Sequence, residues 1–135
     1  MVDNCVFCKI VKGEIPCYKI WENKDFLCFL DINQISRGHI LVIPKNHFNN
    51  VVDCDDKILG KLNIVCKKMG LKLKDKLGAS GFNILNASGK DAQQSVSHLH
   101  YHVIARYPED KLDLWFHGNI DNKYDLEDLK NKLIK

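Results

Sequence analysis

No stretch of this sequence is apolar for long enough to cross a bilayer. The longest, around His39 to Pro44, falls far short of the ~20 residues that a spanning helix needs. No basic run interleaved with aromatic residues is present and the formal net charge is only +3, so the charge pattern of nucleic-acid binding is missing. The opening MVDNCVFCKI lacks a charged segment followed by an apolar one, and no secretory signal is expected. Internal repeats, low-complexity tracts and linkers are also absent from the sequence. What remains is 135 residues, 45% hydrophobic and 27% charged, the balance of an ordinary globular chain. A chain of this size buries roughly two-thirds of its unfolded surface around one core, so a single domain over residues 1–135 is expected. Against that background stand six Cys and six His.

The cysteines are Cys5, Cys8, Cys17, Cys28, Cys54 and Cys66. An even count admits three disulfides, but with no signal segment the expected compartment is reducing. Cys28 in FLCFL and Cys66 in KLNIVCKKM sit in apolar settings, where a free thiol behaves as a small core residue. Only Cys5 and Cys8 are spaced like ligands. A disulfide framework is the weaker reading.

Periodicity outlines the elements. Val6, Phe7, Ile10 and Val11 lie at helical spacing, ended by Gly13 and Pro16. YKIWE and DFLCFLD read as two strands joined by a turn at Glu22–Asp25, and HILVIP as a third, stopped by Pro44. Asp53 or Asp55 is placed to cap a helix from about Lys57 to Lys76, with Ile58, Leu62, Val65 and Met69 as its buried stripe. Gly60 and Gly70 weaken that helix locally. GFNILN and SVSHLHYHVIARY read as strands around a polar loop from Ala87 to Gln94, and Asp125 to Lys135, with Leu126, Leu129 and Leu133, as a closing helix. Consecutive strands with few helices predict an antiparallel α+β sheet, not a βαβ wind.

His98, His100 and His102 alternate with Leu99, Tyr101 and Val103, so a strand would project all three imidazoles to one side. Three aligned imidazoles are costly as ordinary core, because each carries two nitrogens that need partners. An exposed face that merely carries histidine is the bland alternative. Two functional readings compete: imidazoles gathered on one metal ion, or one neutral imidazole acting as a nucleophile while its neighbours position charge. Spacing alone does not separate them.

SVSHLHYHVI resembles the signature of the histidine-triad (HIT) family, His-x-His-x-His-x-x with x apolar. CVFCKIVKGEIP, FLCFLDI, RGHILVIPKNHF and GFNILN resemble further stretches of that family in the family's order, so the likeness runs from about Cys5 to Tyr107 and leaves residues 108–135 as a variable segment. The resemblance points to the Hint-like, protein kinase C inhibitor-like nucleotide hydrolases and to their bacterial relatives with an N-terminal Cys-x-x-Cys. It implies a HIT-like fold: a five-stranded antiparallel sheet with a long helix and a C-terminal helix, the sheet extended across a homodimer. It also implies hydrolysis of activated purine nucleoside monophosphates of the adenosine phosphoramidate type, with an AMP-like product. By the same resemblance His100 attacks the α-phosphorus, His102 contacts the phosphate oxygens, His39 supports the triad and Ser95 hydrogen-bonds near the leaving group. Asp31 matches the ribose-binding position, and Phe7, Ile10, Phe29 and Ile32 match the base pocket, for which plain core is the competing reading. Gln94 and Asn86 fall in the phosphate-contacting loop.

The zinc-bearing branch uses positions that are Cys5, Cys8, His47 and His98 here, which implies a structural Zn2+ that clips the N-terminal segment to the catalytic strand. Two idle thiols, or a redox pair, are the alternatives, the latter weakened by the lack of a βαβ context. Departures are also visible. Ala87 replaces a family Asn, with Asn86 beside it, and Gln93 stands where a loop glycine is usual, which predicts strain if that position needs positive φ. ARYPED follows the triad, and Trp115 and His117 have no assigned role. Three other activities stay open: a dinucleoside polyphosphate hydrolase, a non-catalytic nucleotide- or zinc-binding interaction module, and a metalloenzyme with zinc on all three triad histidines. A cytoplasmic location, with the nucleus also open, is expected, with no membrane or nucleic-acid partner.

Overall fold

The computed structural model describes residues 2–115, 117–118 and 123–135. In chain order it contains α1 (Val6–Val11), β1 (Lys19–Glu22), β2 (Phe26–Leu30), β3 (His39–Pro44), α2 (Asp56–Leu77), β4 (Gly81–Leu85), a 3-10 turn (Lys90–Ala92), β5 (Tyr101–Arg106) and α3 (Leu126–Leu133). The strands form one five-stranded sheet in the order β1-β2-β3-β5-β4, with every pairing antiparallel. The α+β architecture expected from the sequence is the one observed.

Strand parity divides the core between two faces. Phe26 and Cys28 of β2, Ile40 and Val42 of β3, and Val103 and Ala105 of β5 face α2 and join Leu62, Val65, Cys66, Met69 and Leu73. Leu27, Phe29, Leu41 and Ile43 point the other way and pack with Cys5, Phe7 and Cys8 around α1. Helix α2 starts at Asp55, whose carboxylate accepts from the Ile58 N–H at 3.0 Å. Gly70 is where it comes closest to the sheet: a Cβ there would lie 2.4 Å from the Phe82 ring. The glycine that weakens the helix locally is thus what lets it dock.

Two expected elements differ. The strand carrying the histidines begins at Tyr101 rather than near Ser95, so His98 and His100 precede it. The cause lies in β3, whose ladder with β5 runs only from His39–Ile104 to Val42–Tyr101. Beyond it, Pro44 has no N–H to extend the ladder, and its carbonyl is taken by the His98 ring at 2.9 Å. Leu99 N–H bonds instead to the Phe48 carbonyl at 2.7 Å. Alternation nevertheless continues, with Leu99 in the α2-facing core. The second difference is α3. It forms, capped by the Asp125 carboxylate, but closes nothing: it has no buried residue, and Leu126 and Leu133 are 77% and 81% exposed. Helices α1 and α2 already pack on the two faces of the sheet. No helix among the described residues is long and apolar enough to cross a membrane.

Candidate active site

The imidazoles gather on the α1 side of the sheet, on adjacent strands. His102 pairs across with Leu41, while His39 pairs with Ile104, which puts His39 and His102 on one face, one diagonal step apart. Their rings meet, with His39 Nε2 2.8 Å from His102 Nδ1. The Asp31 carboxylate stands 3.6 Å from the same His39 nitrogen and favours a proton there. His39 Nε2–H therefore donates to His102 Nδ1, which leaves His102 with its own N–H on Nε2. Burial, reinforced by the His100 and His39 rings and opposed by Asp31, lowers His102 to about 4, so it works as a neutral donor. Burial also lowers His39, opposed by the Asp31 carboxylate. His39 Nδ1 is buried and makes no hydrogen bond. Asp31, His39 and His102 could be read as a metal group, but a 2.8 Å nitrogen pair is hydrogen-bonded.

His100 is buried, with Nδ1 2.8 Å from the His98 carbonyl. A carbonyl only accepts, so Nδ1 carries the proton and Nε2 keeps its lone pair. Asn86 donates from Nδ2 to the His100 carbonyl at 3.0 Å and so steadies this residue from behind. In front lies a cavity of about 540 Å³, reached by His100, His102 and Ser95 and walled by Phe7, Ile10, Phe29, Asp31 and Ile32. Every expected base-pocket and ribose position is therefore on this wall. The loop after α1 adds Ile15, Pro16, Cys17 and Tyr18, which sequence reasoning missed and no periodic signal marks. Leu41 also lines it, and its alternation with His39 along β3 was a signal that could have found it.

Gln94 and Asn86 do not line this cavity. The Gln94 amide is spent on the Asn49 and Val96 carbonyls, at 2.6 and 2.9 Å, and on the Gly89 N–H at 2.9 Å. Both residues brace the loop. Gln93 adopts φ 68°, ψ 31°, the left-handed conformation in which a side chain is strained. Arg106 of the ARYPED stretch grips Asp110 and reaches Asn83 at 2.9 Å, tying the segment after the triad to β4. Trp115 is exposed, and His117 pairs with Asp113 at 3.3 Å.

Cys5, Cys8, His47 and His98 converge, with their ligand atoms within 4.8 Å of one another. Cys5 Sγ is 3.3 Å from His98 Nδ1, and Cys8 Sγ lies 3.4 Å from His47 Nδ1 and 3.6 Å from His98 Nδ1. Tetrahedral zinc with thiolate and imidazole ligands spaces its donors at roughly 3.3–3.8 Å, so the group fits such an ion. The far nitrogens are also suited to it. His98 Nε2–H donates to the Pro44 carbonyl at 2.9 Å and His47 Nε2–H to Asn49 Oδ1 at 3.2 Å, which leaves both Nδ1 lone pairs for the metal.

Residues 12–109 match the family model described as HIT domain. Protein hit of Bacillus subtilis is 40% identical over 130 residues, covering 96% of this chain and 89% of that protein. Adenosine 5'-monophosphoramidase hnt1 of Schizosaccharomyces pombe is 39% identical over 107 residues, covering 79% and 77%. Among solved structures, a Zn-bound histidine triad family protein from Mycobacterium smegmatis superposes with a TM-score of 0.80 at 38% identity, covering 86% of this chain and 84% of that one. With its sheet, its triad and these relatives in agreement, the chain belongs to the HIT family of nucleotide hydrolases.

Proposed function

We propose that the protein hydrolyses activated purine nucleoside monophosphates of the adenosine phosphoramidate type through a nucleotidyl intermediate on His100. The observation that carries this reading is the His100 Nδ1–His98 carbonyl bond, which frees Nε2 of a ring that borders the cavity. Phe7, Ile10, Phe29 and Ile32 receive the base, and Asp31 accepts from the ribose hydroxyls. His100 Nε2 forms a bond to phosphorus as the bond to the departing nitrogen breaks. His102 Nε2–H hydrogen-bonds the phosphate oxygens as charge develops on them, while the departing nitrogen takes a proton from water and leaves as an amine, with Ser95 bonding beside it. Water then attacks phosphorus as the His100 Nε2–P bond breaks, gives up its proton to solvent and releases the nucleoside monophosphate and His100. The phosphoramidase named among the relatives supports this substrate class. Replacing His100 with Ala should abolish turnover while AMP still binds; wild-type turnover by that variant would sink the mechanism.

Cys5, Cys8, His47 and His98 would hold a structural zinc, which when bound cross-links α1 to the segment before β5. Metal analysis of the wild type and of a Cys5→Ala/Cys8→Ala variant tests this, and equal zinc content would remove the site. We also read residues 1–135 as one domain and as half of a homodimer. Supporting the dimer, β4 is a sheet edge with Ile84 and Leu85 exposed, a pairing surface for a second copy. All six cysteines are free thiols, which suits a cytoplasmic setting.

A further inference from the structure

Asp31 follows β2 and His39 opens β3, and the loop between them exposes Ile32, Asn33, Gln34, Ile35 and Arg37. With so little of it buried, hydrogen bonds hold this loop in place. Ser36 Oγ donates to the Ala105 carbonyl at 2.5 Å, and the Arg37 carbonyl accepts from the Tyr107 hydroxyl at 2.5 Å. Beside Asp31 and His39 the tie is Gln34. Its Nε2 donates to the Asp31 carbonyl at 2.5 Å and to the His39 carbonyl at 2.8 Å. Its Oε1 accepts from the Gly38 N–H at 3.0 Å and the His39 N–H at 2.8 Å. An N–H only donates and a carbonyl only accepts, so this amide orientation is the one that satisfies all four. His39 is thus held by both of its main-chain groups, as a neighbouring strand would hold it. We propose that Gln34 is a positioning residue of the reaction: its amide sets the Asp31–His39 spacing on which the tautomer of His102 depends.

Its catalytic consequence rests on the proposed phosphorus chemistry, while its effect on His102 follows from the hydrogen bonds alone. Asp31 Oδ1 accepts from the Asn33 N–H at 2.8 Å, which leaves Oδ2 facing His39 Nε2 at 3.6 Å. At that separation the carboxylate biases the His39 proton toward Nε2 by charge, and the bias weakens as the distance grows. If Asp31 and His39 drift apart, the His39 proton is free to sit on Nδ1 instead. His102 would then donate from Nδ1 to His39 Nε2 and turn a bare Nε2 lone pair toward the phosphate oxygens. A lone pair repels those oxygens where an N–H would hold them, so the cost falls on the chemical step. Gln34 itself does not line the nucleotide cavity, and the apolar wall that receives the base is untouched by its loss.

The test uses Gln34→Met, which keeps the side chain's length and loses all four bonds, and Gln34→Ala, both at an exposed position. With adenosine 5'-phosphoramidate each should lower kcat about tenfold and leave KM within twofold of wild type. Ring nitrogen-15 shifts of the ligand-free proteins read the tautomer directly. In the wild type His102 Nδ1 should show a lone pair and Nε2 a proton, and in both variants Nδ1 should move toward the protonated value. In a His39→Leu background the relay is already cut, so adding Gln34→Met should lower kcat less than twofold further. A kcat within twofold of wild type in both variants, unchanged His102 shifts, or a full tenfold loss repeated in the His39→Leu background overturns the proposal. If the wild type does not turn over the phosphoramidate, the substrate reading fails, and the His102 shifts alone decide for or against Gln34.

Discussion

Replacing His39 separates its stability role from its catalytic one. His39→Leu removes the 2.8 Å bond to His102 Nδ1, worth about 1 kcal/mol, and strands that nitrogen at a further cost of about 1–3 kcal/mol. It also removes His39 Nδ1, which is buried without a partner and carries a desolvation cost of the same size. Leu adds apolar surface at a position only 3% exposed. These contributions offset, so stability to urea should change by no more than about 1 kcal/mol. Activity should not be spared. Without the donor on its Nδ1, His102 loses the bond that fixes its Nε2–H toward the cavity, and a lost positioning partner of this kind costs about 10- to 100-fold. His39→Gln keeps an N–H near the Nε2 position and should recover most of that loss. The readouts are kcat/KM on adenosine phosphoramidate and the urea midpoint for each variant. If His39→Leu keeps activity within twofold of wild type, the tautomer argument is wrong.

The other predictions concern the scaffold. Gly70→Ala should destabilise by about 1–3 kcal/mol, because its Cβ would meet the Phe82 ring at 2.4 Å, whereas Gly60→Ala, with open space around it, should stabilise by up to about 1 kcal/mol; urea denaturation distinguishes them. Gln93→Gly should stabilise by about 1 kcal/mol by relieving a φ of 68°, and a loss of stability would show that the strain is not there. Stability should also fall on acidification. His102 is held to about 4 and His39 is lowered as well, so between pH 6.5 and about 4 the unfolded chain takes up protons that the folded one refuses. After allowance for its partial exposure, His102 alone contributes a loss of roughly 2 kcal/mol from pH 7.5 to 4.5, absent in His102→Asn.

What the sequence made legible were features governed by local period. Alternation put His98, His100 and His102 opposite Leu99, Tyr101 and Val103, and that division survives although β5 starts only at Tyr101. The strand's start was not legible because it depends on Pro44, distant in the chain, whose carbonyl captures the His98 ring. Likewise, a helical stripe showed which residues of α2 turn inward, while the reason for Gly70 sits on another element, at Phe82. Resemblance picked out Asp31, which lies on the cavity wall, and Cys5, Cys8, His47 and His98, which the fold brings into one group. The partners of Asn86 and Gln94 were not legible, because an amide's partners are set by loop geometry: here they are the His100, Asn49 and Val96 carbonyls. Cys17 and Tyr18 were invisible for the same reason, lying in a loop whose path no period records.

The central claim is that His100 carries the nucleotidyl group. Rapid quenching of the wild-type protein during turnover of adenosine phosphoramidate, followed by peptide mass spectrometry, tests it most directly. The account predicts one AMP moiety on His100, acid-labile and absent from the His100→Ala variant. An AMP adduct on another residue, or steady turnover with no adduct on His100 at any quench time, would contradict it.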